Sequence, residues 1–107
     1  MGYHSLSAAT QDSRGIRLYE TALSMRERDY WESIPGFNRA IGALEEELVA
    51  APSEKRGGIL KMLYDCYQRV WVGTIATGND SATYYGNRTV EIARELEYSG
   101  HKAIKTK

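Results

Sequence analysis

Apolar residues return at three- and four-residue steps along most of this chain, the period of helices with one buried face. Only two prolines occur, Pro35 and Pro52, and both sit where a helix could begin or end. The pattern predicts four helices. The first covers residues 13–28, capped by Asp12 or Ser13, with Ile16, Tyr19, Leu23 and Arg26 on one stripe and Leu18, Ala22 and Met25 beside it. Gly15 weakens its start. The second covers 33–51, with Ser33 as N-cap, Pro35 in the first turn, and Ile34, Phe37, Ile41, Leu44 and Leu48 on its buried face. Glu45, Glu46 and Glu47 fall on the opposite side or at the margin, as a solvated face.

The third helix is predicted over 53–77, with Ser53 capping after Pro52. Ile59, Leu63, Cys66, Val70 and Ile75 roughly follow one face. Leu60, Tyr64, Tyr67, Trp71 and Val72 widen the apolar surface beyond a single stripe. A helix apolar around most of its circumference is either central to a bundle or covered by a partner. Gly78 can turn left-handed to stop this helix, and Asp80 can cap the next. The fourth helix covers 81–98, with Ala82, Tyr85, Thr89, Ile92 and Leu96 on its stripe. The connections are short, so neighbours are antiparallel. The fold class is therefore all-α, an up-and-down bundle of about four helices. Residues 1–12 and 101–107 are expected to be flexible ends.

At 107 residues the chain suits one domain. Its composition is that of a globular protein, 42% hydrophobic and 26% charged. Fourteen basic side chains balance fourteen acidic ones, so the basic footprint of a nucleic-acid binder is missing. A neutral chain repels its own copies weakly, which is compatible with a homo-oligomer. No apolar run approaches the roughly 18 residues of a membrane span, and the N-terminus lacks a signal-peptide pattern. The expectation is a cytoplasmic protein not inserted in a membrane.

Catalytic chemistry is poorly represented. Cys66 is the one cysteine and lies among apolar helical residues, so it reads as a buried structural thiol. With His4 and His101 it makes three Cys/His ligands, too few for a four-ligand zinc site of that kind. No glycine-rich phosphate loop and no His-Glu-x-x-His pattern occurs. The expectation is no enzyme, no cofactor and no metal. The aromatic content is what stands out: eight tyrosines, two tryptophans and one phenylalanine. Such residues fill a bundle core, or line a groove that receives a partner's amphipathic helix.

Several stretches carry a family resemblance. Leu18-Tyr19-Glu20-Thr21-Ala22-Leu23 resembles the LY-(D/E)-G-AL segment that opens the FliS family of flagellar export chaperones. The run from Asn38-Arg39-Ala40-Ile41 through Glu47-Leu48 is similar to that family's RA-x-x-II-x-EL stretch. Gly57-Gly58-Ile59-Leu60-Lys61-Met62-Leu63-Tyr64-Asp65-Cys66-Tyr67-Gln68-Arg69-Val70 resembles its GG-x-(I/L)-A-x-N-L-x-x-LYDY-x-x-RR-L run. Ile75-Ala76-Thr77-Gly78-Asn79-Asp80 resembles its EAN-x-x-ND turn. Arg69-Val70-Trp71 also has a weaker similarity to FlaF, another small helical protein of flagellin handling.

The FliS resemblance implies an antiparallel helical bundle acting as a non-enzymatic cytoplasmic chaperone. Such a protein binds the terminal helix segments of flagellin, prevents premature polymerisation and assists export. The partner-binding candidates are Leu60, Leu63, Tyr64, Tyr67, Trp71 and Ile75. Leu63 and Tyr64, followed by Asp65, match the family's LYD element, and the other choices rest on apolar character. An alternative is a helical adaptor that binds a partner's helix. Asp29-Tyr30-Trp31-Glu32, followed by Phe37 and Ala40, is similar to the helix-joining turn of MIT and tetratricopeptide modules.

Overall fold

The computed structural model describes residues 13–98, which form four helices: α1 (Arg14–Arg28), α2 (Tyr30–Ala50), α3 (Ser53–Ala76) and α4 (Ala82–Tyr98). The expected flexible ends lie outside the described residues. Each helix packs on the next, α1 on α2, α2 on α3 and α3 on α4, as an all-α bundle. The pairing is antiparallel throughout. Gly15 meets Leu44 and Gly36 meets Ala22; Ile34 meets Gly73; Arg56 pairs with Glu95 while Trp71 lies on Gly86.

One core joins all four helices. It contains Ala22 of α1, Phe37, Ala40, Ile41, Leu44 and Leu48 of α2, Leu60, Leu63, Cys66, Tyr67 and Val70 of α3, and Ile92 and Leu96 of α4. On the predicted α4 stripe Thr89, Ile92 and Leu96 are buried, while Ala82 and Tyr85 are half-buried, with Tyr85 packed against the core.

The centre of the α1 face is displaced from the predicted stripe. Gly15 and Ala22 are the buried residues, Ile16, Tyr19 and Leu23 are half-buried, and Arg26 is exposed. The seam is built for close approach. A Cβ on Gly15 would stand 2.7 Å from Leu44 Cδ2, and one on Gly36 would stand 3.2 Å from Ala22 Cβ. Small residues let the two backbones come together, so the glycine that weakens the helix start is what fits α1 to α2.

The second helix begins earlier than its apolar pattern predicts. Asp29 is the N-cap and its carboxylate accepts from the Glu32 amide at 3.2 Å. The predicted cap, Ser33, lies buried inside the helix, where its hydroxyl donates to the Tyr30 carbonyl at 2.6 Å. Pro35 is consequently inside α2, not in its first turn. The proline has no amide to give the Trp31 carbonyl one turn back.

The remaining ends are simpler. Ser13 caps α1, its hydroxyl accepting from the Ile16 amide at 3.1 Å. Pro52 occupies the N-cap of α3 without a side-chain hydrogen bond, so Ser53 is the first helical residue and not the cap. Gly78 takes φ +69° after α3, as the turn requires. Asn79, not Asp80, supplies the side-chain acceptor before α4, taking the Ser81 amide at 2.8 Å.

Candidate functional site

The third helix is the longest and lies between α2 and α4. It also reaches α1, through the Tyr19 hydroxyl, which donates to Asp65 Oδ2 at 2.7 Å. This central position separates the six predicted binding residues. Leu60, Leu63 and Tyr67 are fully buried in the core. They meet neighbouring helices and present no surface to a partner. Tyr64 and Trp71 are half-buried, and Ile75 is 56% exposed.

A partly apolar strip remains along one side of α3. Tyr64, Gln68, Val72 and Ile75 follow one another at steps of four, four and three, which places them on one helical face. Val72 is 48% exposed. It belongs to the widened apolar surface that the sequence predicts, and it is more accessible than Leu60, Leu63, Tyr64, Tyr67 and Trp71. Gly73, one position on, is buried against Ile34 of α2, so the strip looks away from that seam.

Trp71 borders the strip and packs on α4. A Cβ added at Gly86 would lie 2.8 Å from Trp71 Cε2, so glycine is what lets the indole lie against the helix backbone. Tyr67, Tyr84 and Tyr85 form an edge-to-face and tilted cluster beside it, with ring centroids 5.2 to 6.4 Å apart. Tyr84 is exposed, so this cluster runs from the core to the surface.

Two polar clusters fix the strip's supporting helices. In the first, Asp65 accepts from Tyr19 and, at 3.0 Å, from Arg69 Nε, while the Arg69 guanidinium lies 5.0 Å over the Phe37 ring. In the second, the Tyr67 hydroxyl donates to Glu45 Oε2 at 2.6 Å, and Arg88 donates to the same oxygen at 2.6 Å. The Arg88 guanidinium also stands 5.3 Å over the Tyr67 ring and pairs with Glu91. Burial raises the Tyr19 and Tyr67 hydroxyls above the usual tyrosine range, and their hydrogen bonds to Asp65 and Glu45 add to the rise. Burial works against the Arg88 charge, but the hydrogen bonds to Glu45 and Glu91 outweigh it and hold the guanidinium protonated.

A concavity lies where the start of α1 meets the end of α2 and the start of α3. It has a volume of about 860 Å³ and an apolar floor that includes Ile16, Ala50, Ala51, Pro52, Ile59 and Met62. Glu47, Glu54 and Lys55 stand among its walls, and Glu47 accepts the Gly15 amide at 2.8 Å. The periodicity places Ile59 on the α3 stripe and does not mark this cleft. Its signal is the small Ala50-Ala51-Pro52 corner, which leaves the neighbouring Ile59 and Met62 partly uncovered.

Cys66 is buried, and burial together with the nearby Asp65 charge pushes its thiol up to about 12, far from a nucleophilic thiolate. Among the described residues no group of three or more His, Cys, Asp or Glu side chains could hold a metal ion. No helix there is long and apolar enough to cross a membrane. The chain matches no family model, no curated protein and no solved structure.

Proposed function

We propose that this protein is a non-enzymatic helix-binding chaperone of the FliS kind, acting in the cytoplasm on the terminal segments of flagellin. The observation that carries the reading is the half-exposed apolar strip of Tyr64, Val72 and Ile75, with Trp71 at its edge, on the central helix of the bundle. An amphipathic helix carries its apolar anchors along one face, and a strip of exposed apolar side chains along one face of α3 is a surface on which such anchors can pack. The resemblance to FliS supports flagellin as the client, and two of the stretches that carry it are joined in space by the Tyr19–Asp65 bond.

The mechanism follows from the client's disorder. A segment that folds on binding loses conformational entropy, and apolar burial must exceed that loss. Each 100 Å² of apolar surface removed from water contributes about 2.5 kcal/mol. While the strip covers the client's apolar face, that face is withheld from other client copies, which opposes polymerisation.

The test is an exposed substitution. Ile75→Glu changes a side chain that carries little of the core, so the variant keeps its helical circular dichroism. The proposal expects it to lose most of its capture of flagellin in a pull-down with purified components. Undiminished capture by both Ile75→Glu and Val72→Glu would overturn the strip as the binding surface.

A further inference from the structure

We draw no further inference here: the strongest candidate, the apolar cleft around Ile16, Ile59 and Met62 where α1 begins against the α2–α3 corner, carries nothing because nothing in the structure shows what covers it.

Discussion

The hydroxyl of Tyr19 donates to Asp65 at 2.7 Å, tying the first helix to the third across 46 positions of sequence. Asp65 is held from both sides, since its other oxygen accepts from Arg69. Tyr19→Phe therefore removes one hydrogen bond while leaving the carboxylate paired. We expect a loss of about 1 kcal/mol. Asp65→Ala leaves both donors without this partner and is expected to cost more, about 1.5 to 3 kcal/mol. Urea unfolding of the two single variants and the double variant checks the link. A coupling energy near zero would contradict it.

The glycines of this bundle divide by what surrounds them. Gly86→Ala drives a methyl to 2.8 Å from the Trp71 indole and should destabilise by about 1 to 3 kcal/mol. Gly78→Ala forces a side chain onto φ +69° and should cost about 1 kcal/mol, although nothing stands near it. Gly42 is exposed inside α2 with nothing within 4 Å of an added Cβ. Gly42→Ala should stabilise by about 0.5 to 1 kcal/mol, because alanine is the better helix former. Thermal unfolding of the three variants should give this order, and equal shifts would refute it.

The contrast between these positions shows what was legible in the sequence. Period and turn chemistry specified the four helices, because Ser13, Gly78 and the apolar stripes act locally. The apolar pattern misplaces the start of α2 because Ser33 and Pro35 resemble a helix beginning. The working cap, Asp29, stands three residues before Glu32, which is itself a capping spacing. The exposed strip on α3 was only partly legible. Leu60 and Leu63 are as apolar as Ile75, Tyr67 is as aromatic as Tyr64, and a one-dimensional pattern does not say which side of α3 receives α2 and which receives α4. That depends on contacts such as Trp71 on Gly86 and Ile34 on Gly73.

Alkaline pH should loosen the bundle. The Cys66 thiol ionises near its ordinary 9.0 in the unfolded chain but only at about 12 when folded. Folding thus retains a proton that the unfolded chain releases between those values. The stability contributed by the neutral thiol is complete below about pH 9 and is lost as pH rises toward 12. The raised Tyr19 and Tyr67 hydroxyls act in the same direction above the usual tyrosine value of 10.0. Urea midpoints should fall between about pH 8.5 and pH 11. A flat profile would contradict the burial of these groups. The same burial predicts that a thiol reagent at about pH 8 labels Cys66 only when the protein opens.

The central claim concerns binding, and calorimetry of the protein with a peptide from a flagellin C-terminal segment tests it most directly, once the oligomeric state of the free chain has been established. The account predicts saturable binding with a strongly negative heat-capacity change, the mark of apolar burial by a segment that folds as it binds. It predicts at least a tenfold loss of affinity for Ile75→Glu, which corresponds to about 1.4 kcal/mol. No binding at about 100 μM, where even weak complexes register, would contradict the flagellin-chaperone reading.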